Sequence, residues 1–171
     1  MSAENHPPSV SDALGNAGPL PVINWNGTAY PVSSPTPLTL KAVEQMVSRL
    51  AWDTMQGLKG VLGPQEWAEL RAETVTALQA RRWAFAQPLF SETLSGPDGD
   101  ALILWGCLSA KTPGVTLDQV RRMQVEAASD CEFALSMVRL DFFTVGSGTL
   151  PVSPEQRAEV LANVAAAMAA A

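Results

Sequence analysis

Val22-Ile23-Asn24-Trp25-Asn26-Gly27-Thr28-Ala29-Tyr30-Pro31-Val32 is the stretch on which the fold turns. Asn26-Gly27 is the dipeptide that best tolerates two successive positive φ angles, so it predicts a type I′ turn with antiparallel strands on either side. A lone hairpin is at best marginally stable in water. It needs a floor, and everything after Pro35-Thr36-Pro37 carries helical rather than strand periodicity. The expected architecture is mainly α, with a small N-terminal β-hairpin packed on a bundle of about five helices and Trp25 or Tyr30 pointing inward.

Outward from the hairpin, residues 1–20 hold Pro7-Pro8, several Ser, Asn and Gly, and no apolar face. Such a composition cannot repay the entropy of ordering, which predicts a flexible arm. Thr39 is the expected N-cap of a first helix reaching about Leu62, with Leu40, Val43, Val47, Leu50, Leu58 and Val61 on its apolar side. Gly63-Pro64 separates it from a second helix over about 65–86. Pro88 to Asp100, with Ser95-Gly96-Pro97-Asp98-Gly99-Asp100, reads as a loop.

Ala101-Leu102-Ile103-Leu104-Trp105-Gly106-Cys107-Leu108 is apolar all round, which places a helix over about 100–110 at the centre of the fold. Thr116-Leu117-Asp118-Gln119 is a capping box that opens one long helix with a buried stripe of Leu117, Val120, Ala127, Cys131, Ala134, Val138 and Phe142. Gly146-Ser147-Gly148 is the expected hinge, and Ser153-Pro154-Glu155-Gln156 opens a last helix whose alanine-rich end, Ala165 to Ala171, frays or serves as a contact stripe. The organisation is thus an arm (1–20), a hairpin plus helical domain (21–145), and a hinge with a C-terminal helix (146–171).

Composition narrows the function. The chain has 171 residues, a net charge of −6, 47% hydrophobic and 16% charged residues, which suits one domain with a real core. Its only basic doublets, Arg81-Arg82 and Arg121-Arg122, are a poor footprint for nucleic acid and read as solvated or ion-paired helix residues. No apolar run approaches the ~20 residues of a bilayer span, and no basic-then-apolar leader is visible, so a cytoplasmic protein is expected. Cys107 and Cys131 have no metal-ligand spacing and read as reduced core thiols.

No catalytic constellation is legible. The single histidine, His6, lies in the arm beside Pro7. Phosphate-binding, dinucleotide, nucleophile-elbow and zinc-protease motifs are missing. Asp98-Gly99-Asp100 reads as a turn and helix cap rather than a cation loop. Glu126, Asp130 and Glu132 read as a solvated helix face. The expectation is a non-enzyme with no catalytic, metal or cofactor residues. Five tryptophans against one tyrosine are the unusual element. Trp52 and Trp105 read as core, whereas Trp67 and Trp83, flanked by charge, are equally well core or anchors for a partner.

Taken in order, the pieces resemble the tail assembly chaperones of long-tailed bacteriophages. The hairpin from Val22 to Val32 followed by Pro35-Thr36-Pro37-Leu38-Thr39-Leu40 is similar to the opening of that family. Leu104-Trp105-Gly106-Cys107-Leu108, then Thr112-Pro113-Gly114-Val115-Thr116-Leu117-Asp118-Gln119-Val120, is similar to its second signature, and the likeness covers about 20–145. The second helix, with its Trp and Arg content, and the long arm depart from the pattern. The resemblance implies a non-catalytic protein of the host cytoplasm. Such a protein coats the helical tape measure protein until the tail tube polymerises, with the major tail tube protein as a second candidate partner. It also implies a monomer or small homo-oligomer, and a longer product made by ribosomal frameshifting. Met55 and Met137, like Met46 and Met123, would suit its adaptable binding surface, although methionine at helical spacing is also ordinary core. A helical head-to-tail connector, a tail completion protein or an unrelated helical adaptor are the competing readings.

Overall fold

The computed structural model describes residues 20–147, and the arm over 1–19 and the last helix expected from Ser153 lie outside the described residues. Strands β1 (Val22–Trp25) and β2 (Thr28–Pro31) pair antiparallel, with Val22 opposite Pro31 and Trp25 opposite Thr28. Asn26 and Gly27 both take positive φ, 50° and 72°, as a type I′ turn requires. Six helices follow: α1 (Pro37–Gly57), α2 (Pro64–Gln79), α3 (Pro88–Ser95), α4 (Gly99–Ser109), α5 (Leu117–Glu126) and α6 (Ala128–Ser147), with a short 3-10 turn, Leu58–Gly60, after α1. The chain is mainly α with an N-terminal hairpin, as its periodicity implies.

The centre is α4. Ala101 to Leu104 and Gly106 to Leu108 are buried on every side, and α1, α3, α5 and α6 surround them. Burial of a Leu or Ile side chain contributes about 1.5–3 kcal/mol, so this helix is the largest single source of hydrophobic stabilisation. Its enclosure depends on a close crossing with α1. A Cβ on Gly106 would lie 2.6 Å from Val43 Cγ2 and 3.1 Å from Thr39 Cγ2, so only glycine lets α1 approach this far. Cys107 O, one of the C-terminal carbonyls of α4 left without a partner within the helix, is taken up from outside: it accepts from both the backbone N–H and the hydroxyl of Ser33.

The hairpin is clamped to the joint between α5 and α6. Trp25 Nε1 donates to Glu126 Oε2 (2.7 Å), and Asp130 Oδ2 accepts from Asn24 N (2.8 Å) and Asn24 Nδ2 (3.2 Å). The Arg122 guanidinium sits 5.8 Å from the Trp25 ring centroid, within cation–π range. Trp25 points inward at 9% exposure and Tyr30 is half-buried against it, with ring centroids 6.1 Å apart. Glu126 and Asp130 are therefore tethers for the hairpin and not the merely solvated face that their spacing suggests.

Several boundaries differ from expectation, each for a local reason. The N-cap of α1 is Thr36, not Thr39. Pro37 occupies the first turn, and Thr39 instead closes a reciprocal box with Thr36, both N–H···Oγ bonds being 3.2 Å. Helix α2 stops at Gln79 because Arg81 turns left-handed (φ 52°), with Arg82 N bonded to Ala77 O and Arg81 N to Leu78 O in a Schellman arrangement that usually employs glycine. Pro88 starts α3 inside the stretch expected to be loop, and its Phe90 and Leu94, four apart, are both buried. The expected single long helix is two, α5 and α6, broken at Ala127 (φ −130°, ψ 45°) without Gly or Pro. At the far end α6 continues through Gly146 and Ser147, the first two residues of the expected hinge.

Both cysteines are free and buried, as expected. Burial, reinforced by the Asp141 charge, pushes the Cys107 thiol up to about 12; burial with Asp130 and Glu132 pushes Cys131 up to about 11. Every buried side-chain nitrogen and oxygen among the described residues has a hydrogen-bond partner.

The α1–α4 crossing makes a quantitative prediction. Gly106→Ala raises helix propensity yet lowers stability by about 1–3 kcal/mol, the usual cost of overpacking. Combined with Val43→Ala, which removes the opposing methyl groups, the loss is smaller than the sum of the two single losses in urea denaturation.

Candidate functional site

The outer flank of α1 is left partly uncovered because its inner flank is occupied by α4. Two open hollows lie along it. The first, about 440 Å³, is lined mainly by Val47, Leu50, Met55, Leu70, Trp83 and Leu102. The second, about 430 Å³, lies among Met46, Leu50, Trp105, Val115 and Leu117. Leu50 and Arg121 line both, so the two hollows meet at that pair. Each falls within the roughly 300–1,000 Å³ of ordinary binding pockets; the first is mostly apolar, and the second mixes apolar side chains with Arg49, Asp53, Thr116, Asp118 and Arg121.

The polar groups at the divide are ordered. Arg121 Nε and Nη2 donate to the two carboxylate oxygens of Asp98 at 2.8 and 2.9 Å, and Arg121 Nη1 donates to Asp118 Oδ1 at 2.7 Å. The fork fixes the guanidinium in one plane. The hydrogen bond from Arg121, with its charge, lowers the Asp98 carboxyl below its ordinary value of 3.8 against an opposing effect of burial. Hydrogen bonds to Asp98 and Asp118 raise Arg121 in turn. Asp98 stands at the N-cap position of α4 but makes no side-chain capping bond, so the expected cap is instead an ion-pair partner. Asp100 likewise faces Arg139 at 3.0 Å. Arg81 approaches Glu44 at 3.8 Å, so both basic doublets contain an ion-paired arginine.

Two of the four residues singled out as partner anchors meet here. Met55, buried at the end of α1, and half-buried Trp83, in the turns after α2, line the same hollow. Trp67 is half-buried on α2 and lies outside the lining, although Leu70 and Thr74, one and two turns further along, belong to it. Met137 is half-buried on α6 and packs against the core away from both hollows. Trp105 was expected in the core, but it is only half-buried; it borders the second hollow, with Nε1 bonded to Val115 O at 3.0 Å. Trp52 is also half-buried and not part of the central cluster.

Leu50 and Arg121 are the residues that sequence reasoning missed as site residues. Leu50 is one position in an amphipathic stripe, and Arg121 one of a basic doublet, so neither has a local mark. Elsewhere, Phe133, Leu140 and Phe143 on α6 and Leu38, Val61 and Val125 are exposed apolar side chains. Among the described residues, no group of three or more His, Cys, Asp or Glu could hold a metal ion, and no helix is long and apolar enough to cross a membrane.

Comparison of the chain with protein-family models, with curated proteins and with solved structures yields no match.

The Asp98–Arg121 pair gives a pH-dependent stability. Because the folded carboxyl titrates below its unfolded value, its contribution is present above that unfolded value and is lost as pH falls through the folded one. Asp98→Asn therefore lowers the urea midpoint at neutral pH. The half-exposed pair limits the cost to about 1 kcal/mol or less, and the wild-type advantage disappears once both states are protonated in acid.

Proposed function

We propose that this protein is a non-catalytic binding module that receives an apolar, helical segment of a protein partner along the two hollows flanking Leu50. The observation that carries this reading is the junction at Leu50 and Arg121 of a mostly apolar hollow with one of mixed lining. An amphipathic helix laid on such a surface inserts side chains at i, i+3, i+4 and i+7 spacing. Half-buried Met46 supplies adaptable contact, and Trp83 and Trp105 supply large rigid faces at its borders.

Together with the resemblance of Val22–Leu40 and Leu104–Val120 to phage tail assembly chaperones, the proposed partner is the tape measure protein. This chain would keep its apolar stripes covered in the host cytoplasm before the tail tube forms. An acidic chain of net charge −6 adds repulsion between coated complexes, which favours solubility. The competing reading is a virion component that assembles into rings, and the exposed Phe133 and Phe143 on α6 are the observation in its favour.

Binding of the tape measure protein from the same gene cluster, followed by co-purification and tryptophan fluorescence, tests the proposal. Wild type is expected to co-purify as a soluble complex. Trp83→Ala and Leu50→Lys each weaken it at least tenfold, the usual scale of a hot-spot loss, with the urea midpoint monitored separately. Unchanged binding in both variants overturns the groove, and stable large rings formed by the isolated protein overturn the chaperone reading.

A further inference from the structure

Two helices bound the second hollow. Met46, Leu50 and Asp53 of α1 line it together with Leu117, Asp118 and Arg121 of α5, so the placement of α5 sets its width. Local sequence does not dictate that placement. The joint between α5 and α6 is a single residue, Ala127 (φ −130°, ψ 45°), flanked by Glu126 and Ala128 with no glycine or proline, and alanine favours a continuous helix over a bend. The angle at the joint is therefore held by contacts from elsewhere in the fold.

We infer that the β-hairpin is the positioning element for this wall of the hollow: through the Trp25–Glu126 and Asn24–Asp130 bonds it sets the angle of α5, and with it the placement of Leu117, Asp118 and Arg121 against α1. The hairpin can serve as a fixed point because it is anchored independently of α5. Ile23 and Val32 are buried in the core. Ser33, just past β2, bonds to Cys107 O of α4 through both its backbone N–H and its hydroxyl. From that base Trp25 Nε1 holds Glu126 Oε2 at 2.7 Å, before the break, and Asn24 holds Asp130 Oδ2 at 2.8 and 3.2 Å, after it.

The two flanks of α5 are tied separately. Leu117, Val120 and Met123 form its buried stripe. At about 100° per residue, Arg121 falls on one flank of that stripe and Glu126 on the other, with Arg122 one turn back from Glu126. Arg121 is tied to Asp98 at the start of α4 (2.8 and 2.9 Å), while Arg122 and Glu126 meet Trp25. Opposed ties fix the roll of a helix as neither does alone. Release on the hairpin side leaves α5 to turn about its Asp98 tie, carrying Leu117 and Asp118 with it. Asn24 and Trp25 thus act on the hollow through α5 without lining it. The use of the hollow by a partner rests on the proposed function, whereas its width depends on the hairpin with or without one.

Nitroxide labels at Gln45→Cys on α1 and Val125→Cys on α5, both exposed positions, report the separation of the two helices by double electron–electron resonance on the full chain alone. Cys107 and Cys131 are buried and stay unlabelled. Glu126→Ala with Asp130→Ala is expected to shift or broaden the distance distribution by about 1–2 Å, the scale of helix shifts at interfaces. Glu126→Gln with Asp130→Asn keeps an acceptor oxygen at each position and retains the wild-type distribution. Neither residue belongs to the hydrophobic core. If urea denaturation shows that the double alanine variant does not fold, Glu126→Ala alone, at an exposed position, decides. An unchanged distribution in the alanine variant overturns the inference, and so does an equal change in the amide variant. The measurement uses no partner, so its failure is distinct from failure of the binding reading, which co-purification reports.

Discussion

A helix with no polar side must be enclosed all round, and in this protein the enclosure of α4 depends on how near α1 can come. The missing side chain at Gly106 admits Val43 and Thr39 to within contact of the α4 backbone, where a Cβ would lie 2.6 Å from Val43 Cγ2. With α1 seated there, α3, α5 and α6 close the remaining sides and bring Phe90, Leu94, Val120, Met123, Val138 and Phe142 into one cluster with the α4 side chains. Close packing of this kind responds to a single added methyl group, because interiors have few voids into which it can be absorbed.

That arrangement also determines what is left open. Since α1 spends one flank on α4, its other flank faces the turn after α2 and the α3–α4 corner, and neither fills it. The two hollows at Leu50 are the remainder, and Arg121, which lines both, is held there by hydrogen bonds to Asp98 and Asp118. The hairpin in turn depends on α5 and α6. Glu126 and Asp130 stand on either side of the break at Ala127, and both bond to β1. A straight helix through Ala127 would carry these two carboxylates in a different relation to Trp25 and Asn24.

Much of the fold was legible residue by residue. The Asn26-Gly27 turn, the Thr116–Gln119 box, the burial of Ala101 to Leu108 apart from half-buried Trp105, and the buried stripe of Leu117, Val120, Cys131, Ala134, Val138 and Phe142 are found where the pattern places them. Two of the failures occur where the chain changes direction without Gly or Pro, and a third where a proline starts a helix rather than a loop. Arg81 takes the left-handed cap, Ala127 breaks a continuous apolar stripe, and Pro88 starts a helix inside a stretch whose composition speaks for a loop. Of the candidate site, Met55 and Trp83 were chosen for their chemistry and do meet, whereas Trp67 and Met137 share that chemistry and lie elsewhere.

The sequence by itself determined what is settled within about four residues: the positive φ pair of the hairpin turn, the capping box at Thr116, and the demand that an all-apolar segment be buried. These follow from backbone sterics, local hydrogen bonds and hydrophobicity, none of which needs a distant partner. Only the tertiary structure decided that Arg121 would hold Asp98 across 23 residues and Trp25 bond Glu126 across 101, and that the hollows would open at Leu50. Such pairings depend on the relative placement of whole helices. That placement is fixed by how Val43 and Thr39 fit against the bare backbone at Gly106, which no periodicity along the chain records.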